Sequence, residues 1–219
     1  MATTGSTNAD LLAALDAGTA DDRSVLAADH QSAGRGRLDR RWEAPAGVNL
    51  LVSIALAPVP DPPSVATHRV ALAALRAAST LRPDARVTLK WPNDVLLDDV
   101  KMAGILAQRC PSRDAVVVGL GMNVGWAPDG AAQLGTGHPA DVLARVLAAF
   151  DELPDDPAAL DAAYRDNLGT LGRRVRVELA ASTVEGMAVD IDGAGRLVVE
   201  TAHGYQTFDV GDVVHLRPA

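Results

Sequence analysis

Lysine is the rarest charged residue in this chain, and its two copies lie close together. Of the 20 basic residues, Lys90 and Lys101 are the lysines and the other 18 are arginines. An ammonium group reaches a single carboxylate or phosphate oxygen more easily than the planar guanidinium does. A genomic preference for arginine explains the counts equally well, so the counts alone leave a catalytic and a neutral interpretation open.

A glycine- and arginine-rich segment provides more cations. Residues 31–42 hold two glycines, which permit close backbone approach, and four arginines, which are bidentate donors to carboxylate or phosphate. Trp42 ends the segment with an aromatic face. Because like charges repel and nothing apolar is expected to anchor the segment, we expect a loop that is mobile without a ligand and closes over one. A solvated basic loop without function is the alternative.

Two segments follow that contain the lysines. Residues 90–94 (Lys-Trp-Pro-Asn-Asp) end a predicted strand with an amide and a carboxylate. A carboxylate beside cationic phosphate-binding groups is a candidate Mg²⁺ ligand, which here is Asp94. A strand-terminating turn has the same composition. In residues 101–106, Gly104 leaves one strand position without a side chain, which is typical of close approach by a ligand.

Several classes of function are excluded by missing motifs. The chain has no P-loop, no G-x-S-x-G elbow and no H-x-x-x-H pair, and residues 119–124 lack the third glycine of a dinucleotide fingerprint. One cysteine, Cys110, excludes internal disulfides and cysteine-based zinc sites. The net charge of −8 argues against general nucleic-acid binding. Without a long apolar run or a signal peptide, we expect no membrane span and a cytoplasmic protein.

The predicted elements are helices and strands in an α+β arrangement, followed by a small all-β module. The first part has helical spacing in four segments and strand patterns in five. The helices are predicted at 9–15, 64–81, 140–153 and 157–168, and the strands at 25–28, 48–57, 86–91, 95–97 and 115–124, with 100–108 completing a hairpin. We expect residues 30–47 to be a loop without regular structure.

The character of the chain changes after residue 169. Short strand-like runs separated by glycines are predicted at 174–179, 183–191, 197–201, 205–208 and 212–216. This is the size of an SH3-like barrel, which is too small for a large independent core and should pack on the preceding domain. We therefore divide the chain into domains at 1–170 and 171–219.

Five segments together resemble the ordered motifs of one enzyme family. Residues 6–8 (Ser-Thr-Asn), 31–42, 90–94, 101–106 and 119–124 resemble those of biotin protein ligases, also called biotin–[acetyl-CoA-carboxylase] ligases. Each motif is weak alone, but five in family order are specific. The resemblance implies a class II synthetase-like mixed sheet with helices, followed by an SH3-like C-terminal barrel.

The resemblance also implies a two-step reaction. Biotin and ATP give biotinyl-5′-AMP and pyrophosphate, with Mg²⁺, and a lysine of a biotin carboxyl-carrier domain then accepts the biotin. Positioning and charge stabilisation can supply much of the barrier for joining two anions. The implied catalytic residues are Lys101, Arg35, Arg37 and Asp94. The implied biotin-binding residues are Ser6, Thr7, Asn8, Gln31, Arg35, Gly36, Arg37, Lys101 and Gly104. The implied ATP-binding residues are Arg37, Arg40, Trp42, Lys90, Asn93, Lys101 and Asn123, with Asp94 for the metal.

One departure and two alternatives stay open. The family loop has glycine where this chain has Asp39, an acid that could pair with Arg40 or Arg41 and alter loop conformation. A lipoate–protein ligase has related chemistry, although its loop is expected to contain consecutive glycines. A non-catalytic biotin-binding module would keep residues 6–8 without needing Lys101. Because the first motif begins at Ser6, we expect no DNA-binding domain, and we expect a monomer or weak homodimer.

Overall fold

The computed structural model describes residues 1–38, 40–209 and 211–216, which form four helices and thirteen strands. The expected effect of Asp39 on its loop lies outside the described residues. The helices are α1 (Thr7–Asp16), α2 (Ser64–Leu81), α3 (Pro139–Asp151) and α4 (Pro157–Asp166). The strands of the first part are β1 (Thr3–Thr4), β2 (Val25–Ala28), β3 (His30–Gln31), β4 (Leu50–Leu56), β5 (Val87–Lys90), β6 (Asp94–Leu97), β7 (Val100–Arg109) and β8 (Val116–Met122). The later strands are β9 (Arg174–Glu178), β10 (Thr183–Ile191), β11 (Leu197–Thr201), β12 (Gly204–Phe208) and β13 (Asp212–His215).

A six-stranded sheet organises the first part of the chain. Its strand order is β2-β4-β8-β7-β6-β5, and all neighbouring strands in it are antiparallel. Helix α2 packs on one face, where Ile54 and Leu56 join the main core, and Ala55 points to the opposite face under α1. Because both faces are covered, β4 is apolar at all but one position and buried at every position.

A five-stranded antiparallel sheet follows, in the order β12-β11-β10-β9-β13. Its apolar residues, such as Val175 and Ile191, belong to the same core cluster as Trp91 and Leu89 of the first part. The Trp91 Nε1 donates a hydrogen bond to the carbonyl of Gly195, 3.0 Å away. The expected packing of the all-β module on the first domain is therefore confirmed, and the α+β class with it.

Most predicted elements are confirmed, and helix α2 has the predicted bounds of 64–81. The expectation of no regular structure over 30–47 is wrong at β3, which pairs in parallel with β1. The first helix begins at Thr7, two residues before its predicted start at residue 9. Ser6 is the N-cap residue but makes no side-chain cap hydrogen bond, and the Thr7 N–H instead donates to Gln31 Oε1 at 2.7 Å. No helix in the described part of the chain has the length and apolarity to cross a bilayer.

The two sheets are joined beside the lysine-containing strand β5. The Trp91 N–H donates to Thr170 Oγ1 at 3.0 Å, and Thr170 Oγ1 lies 3.1 Å from His215 Nε2 on β13. Burial, together with the nearby positive charges of Lys90 and Arg173, lowers the pKa of His215 to about 4. The junction therefore holds a neutral imidazole near neutral pH.

The His215 junction predicts how stability depends on pH. Because the folded-state pKa of His215 lies below its ordinary value of 6.5, the unfolded chain binds an extra proton between these values, and stability is lost as the pH falls from about 6.5 to about 4. The loss in free energy of unfolding over this window, measured by urea denaturation, should be smaller in His215→Gln than in the wild type. The exposed His203 provides the control, and His203→Gln should follow the wild-type curve. Equal losses in all three proteins would contradict this account.

Candidate functional site

Residues from most of the polar segments predicted to be functional line one cavity of about 240 Å³. It lies where β6, β7 and β8 meet the glycine- and arginine-rich loop. Its lining includes Arg35, Gly36, Arg37, Arg40, Trp42, Asn93, Asp94, Lys101, Gly104 and Asn123. Residues far apart in the sequence converge because the antiparallel register places Asp94 of β6 beside Gly104 of β7, and Gly104 beside Gly121 of β8.

A second, smaller cavity of about 30 Å³ adjoins the first. The residues predicted around the N-terminal motif line it, and it shares three lining residues with the large cavity. The predicted members are Ser6, Thr7, Asn8 and Gln31, and the shared residues are Arg35, Trp42 and Leu106. Apart from the shared Arg35, the polar residues that line the smaller cavity are neutral, whereas the larger one contains several cations.

Trp42 separates the two cavities and rests on two glycines. A Cβ atom at Gly121 would lie 2.5 Å from Cε2 of the Trp42 ring, and one at Gly104 would lie 3.1 Å from Cζ3. The indole Nε1 is buried and has no hydrogen-bond partner among the described residues. The two glycines leave a space on the sheet that the indole fills, and we call this space the Trp42 seat. The expectation that nothing apolar anchors the loop is therefore wrong.

The loop backbone also makes local hydrogen bonds. The Trp42 N–H donates to Gly34 O at 3.0 Å, and the Gly36 N–H donates to Arg40 O at 2.6 Å. These bonds fold the segment into a narrow turn over the sheet. Closure of this loop over a ligand stays a prediction.

Lys101 and Asp94 form an ion pair in the larger cavity. Lys101 Nζ lies 2.6 Å from Asp94 Oδ1, and this oxygen has no directed hydrogen bond within the described residues. Asp94 pairs with Gly104 across β6 and β7, and a Cβ atom at Gly104 would lie 3.5 Å from Lys101 Nζ. Since an ion pair at this distance neutralises both charges, an anion entering the cavity competes with Asp94 for Lys101.

Lys90 lies outside the lining of this cavity, although the sequence grouped it with Lys101. Burial is the main cause that lowers the pKa of Lys90, and the charge of Lys101 lowers it further, whereas Asp94 opposes the shift. Of the two lysines in the chain, Lys101 lines the cavity and Lys90 does not.

The C-terminal sheet supplies acceptors for two loop arginines. Arg37 Nη1 donates to Asn93 Oδ1 and to Gly211 O, both at 3.3 Å, and Arg40 forms an ion pair with Asp212. Burial lowers the pKa of Arg37 below its ordinary value, whereas the nearby carboxylates of Asp212 and Asp94 oppose the shift. Sequence reasoning missed Asp212, because a first strand residue after a glycine carries no local sign of a contact with a distant loop.

The two asparagines predicted to bind ATP make hydrogen bonds within the protein itself. Asn93 Nδ2 donates to Ile105 O at 2.8 Å, and Asn123 Nδ2 donates to Ala132 O at 3.0 Å. Asn123 Oδ1 accepts from Asn49 Nδ2 at 3.4 Å. Both residues line the cavity but also hold its loops in place.

The smaller cavity is backed by a hydrogen-bonded polar network. Thr7 Oγ1 lies 3.0 Å from Gln31 Oε1, and Asn8 Nδ2 donates to Leu106 O at 3.1 Å and to Gln108 Oε1 at 2.8 Å. Sequence reasoning missed Ser53, which is fully buried and contacts both Thr7 and Asn8. Its sequence signal is a lone serine in a run of apolar residues.

Comparison with known families matches both parts of the chain. The Biotin/lipoate A/B protein ligase family matches residues 2–124, and the Biotin protein ligase C terminal domain matches residues 170–216. A biotin–[acetyl-CoA-carboxylase] ligase of Mycobacterium tuberculosis is 40% identical, with 99% of this chain and 88% of that protein covered. One of Paracoccus denitrificans is 34% identical, with 97% and 98% covered.

A solved structure agrees in fold. A biotin protein ligase from Aquifex aeolicus in complex with biotin and ATP is similar with a TM-score of 0.75 at 24% identity. The match covers 100% of this chain and 97% of that chain.

The Trp42 seat generates a prediction for the loop. Gly121→Ala places a methyl group within the volume of the indole, and overpacking of this kind costs about 1–3 kcal/mol. We expect Trp42 to leave its seat and trypsin to cleave at the loop arginines about 10-fold faster, as measured by mass spectrometry over time. Gly193 has open space around it, so Gly193→Ala should cleave at the wild-type rate. An unchanged cleavage rate in Gly121→Ala would show that Trp42 does not anchor the loop.

Proposed function

Because the chain belongs to the biotin/lipoate A/B protein ligase family, we propose that it is a biotin protein ligase that activates biotin with ATP and transfers it to a carrier lysine. One observation carries this proposal from the structure. A small cavity lined mainly by neutral groups, with Arg35 at the boundary, joins across Trp42 a larger cavity that contains Lys101 and the other loop arginines. The neutral, polar ring system of biotin suits the smaller cavity. The biotin carboxylate and the triphosphate of ATP are anions, and they suit the cations of the larger cavity.

The smaller cavity is proposed for the biotin head group. The cyclic urea of biotin has N–H donors and a carbonyl acceptor, and the hydroxyl and amide groups of Ser6, Thr7, Asn8 and Gln31 can pair with both. The cavity is too small for the bicyclic ring as it stands, so binding requires Trp42 to move. Movement of Trp42 releases its Nε1 from a site where it is buried without a hydrogen-bond partner among the described residues. This release reduces the net free-energy cost of moving the side chain.

The larger cavity is proposed for the reacting anions. A carboxylate oxygen of biotin attacks the α-phosphorus of ATP, and the bond to the pyrophosphate oxygen breaks. Lys101 would lie between the carboxylate and the α-phosphate, with Arg35 and Arg37 binding the phosphate oxygens. These cations offset the repulsion between the reactants and the charge that develops on the phosphoryl group. Arg40, Trp42, Lys90, Asn93 and Asn123 are proposed for the nucleotide side.

Mg²⁺ fits this cavity through Asp94. Mg²⁺ is usually held by one or two carboxylates together with substrate phosphates, and the buried Asp94 Oδ1 has Lys101 as its counter-ion. When Lys101 moves to the reacting anions, Asp94 becomes available for the cation. The metal would neutralise charge on the leaving pyrophosphate.

The second step is proposed to use a lysine of a biotin carboxyl-carrier domain. The lysine nitrogen attacks the carbonyl of biotinyl-5′-AMP, AMP leaves with the bonding electrons, and the nitrogen loses a proton. Asp94 is a candidate for assisting this transfer, because it is the carboxylate nearest Lys101. In this proposal residues 1–170 are catalytic, residues 171–219 are the SH3-like domain, and the enzyme acts as a monomer or weak homodimer.

The alternative substrate is lipoate, and the small cavity argues against it. The dithiolane ring of lipoate has no N–H or carbonyl, so it would make no hydrogen bonds with the polar groups that line the smaller cavity, whereas the ureido group of biotin can make them. A hydrogen bond that one ligand makes and the other cannot is worth about 0.5–1.5 kcal/mol.

Transfer of labelled biotin to a purified carrier domain tests the proposed function directly. With ATP and Mg²⁺, we expect incorporation of biotin and no incorporation of labelled lipoate under the same conditions. A carrier whose acceptor lysine is replaced by arginine is the matched control. Preferential incorporation of lipoate would assign the other branch of the family, and binding of biotin without any transfer would indicate a non-catalytic module.

The assignment of Lys101 makes a separate prediction. Lys101→Ala should lower the rate of biotin-dependent pyrophosphate release by about 10²–10³-fold, because it removes the central cation from the reacting anions. Lys101→Arg should also be strongly impaired, since the guanidinium is wider than the ammonium. Arg109 is an exposed cation at the other end of the same strand, so Arg109→Ala is the control for loss of a positive charge. Near-normal turnover of Lys101→Ala would remove the catalytic assignment.

A further inference from the structure

Ser53 is the one polar residue of β4, at a buried position where packing of the sheet does not require a polar side chain. It lies in the middle of β4, between apolar neighbours, and its side chain is fully buried. A buried hydroxyl is unfavourable unless it is hydrogen-bonded. Ser53 does not line the small cavity, so it lies behind the residues that would contact a ligand.

The Ser53 hydroxyl joins two residues of the small cavity. Its Oγ is 2.7 Å from Thr7 Oγ1 and 2.6 Å from Asn8 Oδ1. The orientation of the Asn8 amide is fixed, because its Nδ2 donates to Leu106 O, which can only accept. Asn8 Oδ1 therefore faces Ser53 as an acceptor, and the single proton of Ser53 is used to bond it.

This arrangement determines the proton of Thr7. Ser53 has one proton for two contacts, and Asn8 Oδ1 at 2.6 Å can only accept, so Ser53 donates to Asn8. The 2.7 Å contact with Thr7 then needs the Thr7 proton, whereas Gln31 Oε1 already accepts the Thr7 N–H. The contact between Thr7 Oγ1 and Gln31 Oε1, at 3.0 Å, is then left without a proton. Three oxygen–oxygen contacts share two hydroxyl protons, and the one that lacks a proton lies at the cavity wall.

We propose that Ser53 is a positioning residue that determines specificity, because it leaves Thr7 Oγ1 and Gln31 Oε1 as acceptors for an N–H group of the ligand. The inference rests on the proposed function and deepens it by naming the feature of biotin that is read, a ureido N–H. An N–H placed between the two oxygens supplies the missing proton. A ligand without an N–H donor at that position leaves the two acceptors facing each other.

The test measures affinity for biotin without ATP, by isothermal titration calorimetry. In Ser53→Ala the Thr7 proton is free to bond Gln31, so the acceptor pair for the ligand is lost. We expect about 10-fold weaker binding of biotin, the effect of about one hydrogen bond. The KM for biotin should rise by a similar factor, with the KM for ATP and kcat nearly unchanged.

Biotin analogues that are methylated on either ureido nitrogen distinguish proton placement from a general packing role. The wild type should bind the more strongly affected N-methyl isomer much more weakly than biotin, and in Ser53→Ala this ratio should shrink by about 10-fold. The comparison between variants cancels the steric cost of the methyl group. If Ser53→Ala weakens biotin and both analogues by the same factor, or weakens none of them, the inference is wrong.

Two further variants keep the test interpretable. Ser53→Cys preserves the side-chain volume with a weak donor and should lie between the wild type and Ser53→Ala, and it carries the test if the alanine variant does not fold. Ser64 has a buried hydroxyl at the start of α2, and Ser64→Ala should match the wild type in every affinity. A wild-type protein that binds no biotin would refute the proposed function itself, an outcome distinct from failure of the Ser53 variants.

Discussion

The structure depends on balancing a cluster of cations in an acidic chain. Arg37, Arg40 and Lys101 converge on one cavity although the net charge of the chain is −8. Such groups repel one another in the absence of an anion, and each is instead held by an acceptor of the protein. Lys101 pairs with Asp94, and the loop arginines bond to the turn before β13. The cavity is therefore preorganised for negative charge but carries its own exchangeable partners, which a substrate must displace.

The same balance gives the C-terminal sheet a place in the site. Asp212 and the carbonyl of Gly211 hold the arginines from one side, while the Trp91 indole is bonded to Gly195 near the strand that precedes Asp94. The small sheet and the larger one share a continuous core, so we expect a displacement of one sheet to be transmitted to the other through the packed side chains. The smaller cavity is formed by the first domain alone, and its polar residues are held by α1, β3 and the buried face of β4.

Sequence reasoning reached the elements and the grouping of the site but not its internal contacts. Helix α2 follows from apolar residues at helical spacing, and the hairpin of β6 and β7 follows from two strand-like runs separated by Asp98 and Asp99. Gly104 was correctly marked as a place of close approach, yet the group that approaches it is Trp42 of the protein itself. Asp212 and Ser53 escaped prediction because their roles arise from long-range contacts that no local pattern records. The pairing of β1 with β3 was missed for the same reason, since two-residue strands have no periodicity.

The reaction proposed for this site is the joining of the biotin carboxylate to the α-phosphate of ATP. Biotin-dependent exchange of labelled pyrophosphate into ATP measures that step without a carrier protein. We expect exchange that requires biotin and is not supported by lipoate. Exchange that is independent of biotin, or that lipoate supports better than biotin, would contradict it.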